Sequence, residues 1–243
     1  MQNRIFSMDN PKAAKAKGYG YLNAIHYMAP HKLAGVGNLC PHATPGCAAL
    51  CLGWESGHAG MVSQPTQINS VRQSRIDKAT RFMRDRQGYL EDMIKAIVSA
   101  KNKAKREGLK LCVRLNGSTD IGWEGIATVS GMTLLELFPD VQFVDYTKSK
   151  RRALNHALGM LPSNYHLTFS RSETNEDDCH TVLANGGTVA VVFANGLPNT
   201  YFGVSVVNGD DHDLRHLDPK GAIIGLSPKG HNAKADISGF VVR

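Results

Sequence analysis

No stretch of this 243-residue chain approaches the roughly 18 consecutive apolar residues that a membrane-spanning helix requires. The opening MQNRIFSMDN is polar and lacks the pattern of a secretory signal. Both absences point to a protein that works away from the membrane, in a cytoplasm. Cysteine is scarce as well: five residues, an odd number without framework spacing, fit reduced thiols and argue against a disulfide scaffold. There is no internal repeat and no linker that would separate a second folded unit. With 42% hydrophobic and 20% charged residues, the chain is long enough for one sizeable core. The expected division is an N-terminal arm, residues 1–18, followed by a single α/β domain, residues 19–243.

Acidic residues are short in the first part of the chain. Residues 1–110 carry 17 Lys+Arg against 7 Asp+Glu, and residues 111–243 carry 11 against 14, for the overall +7. Much of the excess falls in residues 72–110, where two helices are expected. Such a face can bind nucleic acid or another polyanion; a solvated helix surface is the plainer reading.

What the chain does have is CPHATPGCAALC, residues 40–51. Cys40, Cys47 and Cys51 lie in a loop broken by Pro41, Pro45 and Gly46, where they can converge on one metal. Cys47 and Cys51 also suit one helical turn. Three thiolates leave one coordination position open. A structural zinc site is normally closed by four protein ligands, whereas a cluster held by three cysteines offers an iron to a small molecule. His42 and His58 are the candidate fourth ligands for a closed zinc site. Cys112 reads as a small core residue and Cys179 as a helix residue.

The segment GYLNAIHYM, up to Met28, reads as the first strand, delivering the chain into the cysteine loop. Helices are expected from an N-cap at Thr66 to about Arg86, and from after Gly88 to Gly108. From Lys110 onward, apolar runs at 111–115, 141–146, 165–169 and 189–193 alternate with helical segments, with later strands at 202–207 and 222–226. Thr133 and Glu136 form a capping box; Thr174, followed by Glu176, Asp177 and Asp178, marks another helix start. This alternation implies βαβ units and a parallel sheet. The acidic stretch 210–213 reads as a charged turn.

Parallel sheets bind ligands beyond the carboxyl ends of their strands. The polar residues just past the expected strands are Asn116, Ser118, Thr119 and Asp120, then Asp145, Tyr146, Thr147 and Lys148, then Ser170, Arg171, Ser172 and Glu173, and finally Asn195. Of these, Asn116, Ser118, Asp120, Ser170, Arg171 and Glu173 are the candidate cofactor-binding residues.

A cysteine loop after the first strand of a partial (β/α) barrel resembles the radical S-adenosylmethionine architecture. That resemblance implies a [4Fe–4S] cluster on Cys40, Cys47 and Cys51, with S-adenosylmethionine as a candidate cofactor; the spacing here is Cx6CxxxC where that superfamily uses CxxxCxxC. The stretches CPHATPGCAALCLG, VRLNGSTDIGWE, NYHLTFSRSE, VNGDDHDLRHLDP and KADISGFVVR resemble a bacteriophage protein family with the gene product 88 domain. That resemblance implies a phage origin, the cytoplasm of the infected host as the place of action, and a cysteine site. Two functional expectations follow: an iron–sulfur enzyme acting on a small molecule or nucleotide, and a zinc-stabilised nucleic-acid-binding protein with a Cys3His site.

Overall fold

A computed structural model describes residues 4–9 and 11–243. Ten strands form one sheet in the order β1-β2-β3-β4-β5-β6-β9-β8-β7, with β10 also paired to β6. The strands are β1 (Phe6–Ser7), β2 (Tyr21–His26), β3 (Lys110–Arg114), β4 (Gln142–Thr147), β5 (Tyr165–Ser170), β6 (Val189–Phe193), β7 (Thr200–Tyr201), β8 (Val204–Asn208), β9 (Ile223–Leu226) and β10 (Val241–Val242). All pairings from β2 to β8 are parallel, and β1 and β7 are antiparallel additions at the two edges. The sheet is therefore mostly parallel and open, not a closed barrel.

Helices α1 (Pro11–Lys17), α2 (Pro45–Ala49) and α3 (Leu52–Glu55) come before the long pair α4 (Ser70–Arg84) and α5 (Arg86–Arg106). Then come α6 (Leu134–Leu137), α7 (Lys150–Ala157), α8 (Glu176–Ala184) and α9 (His231–Lys234). From β2 to β6 each strand lies beside the one before it, and right-handed crossovers in such an order put the connecting helices on one face. Leu22, Leu111, Val113, Phe143 and Leu167 accordingly pack against Phe82, Tyr89, Leu90, Met93 and Ile97 of α4 and α5. Farther along, Phe169, Val189 and Val191 pack against Ala153 of α7 and Val182 of α8.

The opposite face receives no crossover helix. It is covered by Ala16 of α1 and Leu214 of the segment after β8, which meet Cys112 and Val144. Residues expected to form an arm are thus tied to the sheet: Phe6 and Ser7 pair with β2, and Ala16 is fully buried.

Helix ends differ from the sequence expectation for local reasons. Asn69, not Thr66, caps α4, its side chain accepting from the Arg72 N–H at 2.9 Å. Helix α5 begins at Arg86, because Asp85 accepts from the Gly88 N–H at 3.0 Å and so places Gly88 inside the first turn. The Thr133–Glu136 capping box is present. The run 202–207 begins with a turn, where Phe202 is in left-handed backbone at φ 53°, so β8 starts only at Val204.

Candidate functional site at the cysteine loop

The loop 40–51 sits beyond the carboxyl end of β2 and is fastened from several sides. Thr44 caps α2 by accepting from the Cys47 N–H. The Glu173 carboxylate, just past β5, accepts from the Thr44 hydroxyl at 2.8 Å and the Gly46 N–H at 2.7 Å. A Cβ on Gly46 would lie 2.7 Å from the Ser238 hydroxyl and 2.8 Å from the Glu173 carboxyl, so only glycine allows this three-way contact. Gly53 is constrained in the same way, since a Cβ there would come within 2.3 Å of the Ser118 Cβ. Arg75 of α4 donates to the Gly53 carbonyl, and the Asp120 N–H donates to the Leu39 carbonyl at 2.9 Å. The loop is therefore held by the ends of β3 and β5, by α4 and by the C-terminal segment.

All five cysteines are free; Cys40, Cys47 and Cys51 are half-buried, while Cys112 and Cys179 are buried elsewhere. Cys40 Sγ accepts from the His31 N–H at 3.2 Å and lies 3.7 Å from the Ser118 carbonyl. Burial pushes the Cys40 thiol up to about 12 and the Cys51 thiol up to about 11. Negative charge on Cys51 or Cys47 raises Cys40 further, and charge on Cys47 raises Cys51, so the three sulfurs lie within electrostatic reach of one another. Among the described residues, however, no three His, Cys, Asp or Glu side chains are gathered as a metal-holding group. His42 and His58 are exposed.

These elevated values have a measurable consequence. Alkylation of Cys40 and Cys51 by iodoacetamide is expected to be slow at pH 7.5 and still rising between pH 9 and 10.5. An ordinary thiol with a pKa of about 8.5 levels off in that range. A plateau below pH 9, followed by peptide mass spectrometry, would contradict the buried setting.

The six candidate cofactor-binding residues fall into different roles. Asn116 is buried, its Oδ1 accepting from the Thr119 hydroxyl, the Ile121 N–H and the Trp123 indole, while its Nδ2 donates to the Ile121 carbonyl and Asp145. Asp120 pairs with Arg152 at 2.6 Å and accepts from the Lys148 N–H. The Ser118 hydroxyl donates to the Met28 carbonyl at 2.6 Å. Arg171 donates to the Gly239 and Phe240 carbonyls, anchoring the C-terminal segment. Glu173 is the clamp described above. Ser170 accepts from Lys148 Nζ at 2.7 Å. These six residues lie around the cysteine loop, at the carboxyl-end mouth of the parallel strands, with most of their polar atoms engaged inside the protein.

Several groups near the cysteine loop were not among those six residues, although Lys148 does stand just past an expected strand. Arg75 stacks over the Tyr27 ring at 4.7 Å and senses the charge of Cys51. Lys148 lies 5.1 Å from the Phe240 ring. Among the described residues neither Arg75 nor Lys148 has a carboxylate in ion-pair contact. On the face without crossover helices, Arg114 stacks over Tyr146 at 4.7 Å and lies 3.6 Å from Asp213. Arg215 is fully buried, 3.0 Å from Asp218. Asn23 is fully buried with neither amide atom partnered. The stretch 210–213 is thus more than a surface turn: Asp213 is only 2% exposed and belongs to this polar interior. The signal available in sequence was Arg114, a lone charge inside an apolar strand.

The surface outside the site is less freely basic than the composition suggested. Arg72 and Lys78 of α4 are buried, and Arg81 and Lys101 pair with Asp92 and Asp140. No helix among the described residues is long and apolar enough to cross a membrane.

A family model described as gene product 88 matches residues 4–243. The chain belongs to the gene product 88 family. The match takes in every part of the mouth, from the cysteine loop to the C-terminal segment beside Glu173. No curated protein and no solved structure matches the chain, so the likeness to radical S-adenosylmethionine enzymes has no support from them.

Proposed function

We propose that this member of the gene product 88 family is a phage-encoded iron–sulfur enzyme. In this reading Cys40, Cys47 and Cys51 ligate a [4Fe–4S] cluster with one open iron, and the substrate is an anionic small molecule or nucleotide. The observation that carries the reading is positional: three free, half-buried thiols of one short loop lie beyond the carboxyl ends of parallel strands, with the loop fastened by Ser118 past β3 and Glu173 past β5. The donor set fits a thiophilic metal, and ligand binding at this end of a parallel sheet is the general rule. When bound, such a cluster supplies electron transfer or Lewis acidity at its open position, where S-adenosylmethionine is a candidate ligand.

The chain's own residues have separable tasks. Glu173 and Thr44 fix the loop, and Arg75 places positive charge beside Cys51. Lys148 and Arg75, half-buried cations without carboxylate partners, are the groups best suited to receive an anionic substrate. The Phe240 ring stands 5.1 Å from the Lys148 ammonium, and Arg171 anchors the C-terminal segment that carries it. Because Cys40 and Cys51 are held protonated at neutral pH, metal uptake releases protons and strengthens as pH rises.

Single serine replacements test the assignment. Cys40→Ser, Cys47→Ser and Cys51→Ser are each expected to lose most of the iron retained by the unaltered chain, whereas Cys112→Ser and Cys179→Ser keep it. Iron retained equally in all five variants would overturn the ligand set.

A further inference from the structure

A separate cleft lies between α4, α5 and the β1 segment. It has a volume of about 480 Å3 and shares no lining residue with the cysteine mouth. Four cations line it, Arg4, Lys78, Arg81 and Lys95, against two acids, Asp77 and Asp92. The acids are largely committed. Asp92 is shared by Arg81 at 2.5 Å and Lys95 at 3.7 Å, and Asp77 accepts from Gln73 at 2.7 Å.

Lys78 is the unusual member. It is only 9% exposed, its ammonium reaches the Arg4 carbonyl at 3.3 Å, and among the described residues no carboxylate pairs with it. Burial, and secondarily Arg75, draw its pKa down to about 8. Buried charges are ordinarily paired, because an ammonium removed from water without a counter-charge is costly. A lysine held in this way beside a cleft of ligand size is a cation prepared for an anion that comes from outside.

We propose that this cleft binds a phosphorylated small molecule, with Lys78 donating to a phosphate oxygen and Arg81 and Lys95 completing the charge match. A phosphate fits better than a single carboxylate, since it carries more negative charge and more acceptor oxygens for several cations. A compact ligand fits better than a nucleic-acid strand, since a cleft of about 480 Å3 is of small-molecule size. Tyr89, nearly fully buried, also lines the cleft, with its hydroxyl fixed 2.7 Å from His26 Nε2 and the Arg81 guanidinium 5.9 Å from its ring centre. The inference is independent of the metal assignment and stands or falls without it.

Isothermal titration of the full chain with pyrophosphate at low ionic strength tests it. One saturable site is expected, weakened about tenfold or more in Lys78→Met, in line with the loss of a charge-assisted hydrogen bond. Lys95→Gln should lose less, and Arg84→Gln, an exposed cation on α4 outside the lining, should bind as the unaltered chain does. If Lys78→Met does not fold, acetylation of the unaltered chain gives the answer, because pyrophosphate should protect Lys78 selectively. Absence of saturable binding would overturn the proposal. So would an Arg84→Gln loss equal to that of Lys78→Met, or Lys78-dependent binding of an oligonucleotide with no binding of pyrophosphate.

Discussion

Replacing Arg72 by methionine is expected to destabilise the protein by about 3–5 kcal/mol, the range found when a buried charge network is broken. The Arg72 side chain is fully buried and donates to the carbonyls of Trp54, Ala59, Pro65 and Gln67. It also stacks over the Trp54 ring at 4.4 Å and lies 3.6 Å from Glu55. One guanidinium thus organises the chain between α3 and α4, and without it the buried carbonyls of Trp54 and Ala59 would lose this donor. Lysine should rescue little, since a single ammonium cannot direct donors along the several fixed directions of a guanidinium fork. For a chain of this size the loss corresponds to roughly 10 °C or more in Tm. The same segment leads directly from Cys51, so metal content should fall together with stability. Denaturant unfolding measures the effect, and a change below about 1 kcal/mol would contradict the packing described.

Asn116→Ala is the second large effect, at about 3 kcal/mol or more. Asn116 supports the 116–123 turn through three acceptor and two donor contacts, and its own N–H donates to Asp145 at 2.6 Å. Truncation would leave the Trp123 indole, the Thr119 hydroxyl and the Asp145 carboxylate with fewer partners in a buried setting. Asp145 is already raised to about 7 by burial, against the lowering effect of the Asn116 N–H. A carboxyl raised in the folded state contributes stability at low pH that is lost as pH rises through about 7. Asn116→Ala should therefore be less damaging at pH 5.5 than at pH 8, because the neutral acid tolerates a missing donor better. Equal loss at both pH values would count against this role for Asp145.

These two residues show what the sequence made legible and what it did not. Hydrophobic rhythm gave the parallel strands from β3 to β6 and both long helices, because period and burial are local properties. The Thr133–Glu136 box was equally readable. Strand-end reasoning selected Asn116, Asp120, Arg171 and Glu173, but position alone does not say whether a polar side chain faces a ligand or its own backbone, and all four are engaged within the protein. Glu173 clamps α2 across more than 120 residues of chain, and no local pattern encodes that contact. Arg72 and Lys78 looked like members of a solvated basic face because charge normally marks the exposed side of a helix; tertiary contacts turned both inward. Residues 1–18 read as an arm because KAAKAKG is small and charged, yet Ala16 is fully buried and packs with Cys112. Asp213 and Arg215 were hidden in a stretch whose composition is that of a turn.

The most direct measurement is the absorption spectrum with iron and sulfide analysis of protein purified without oxygen. The account predicts a brown protein with a broad band near 400 nm and about four irons and four sulfides per chain, all lost in the Cys47→Ser variant. A colourless protein holding one zinc per chain would contradict it and point instead to a closed structural site.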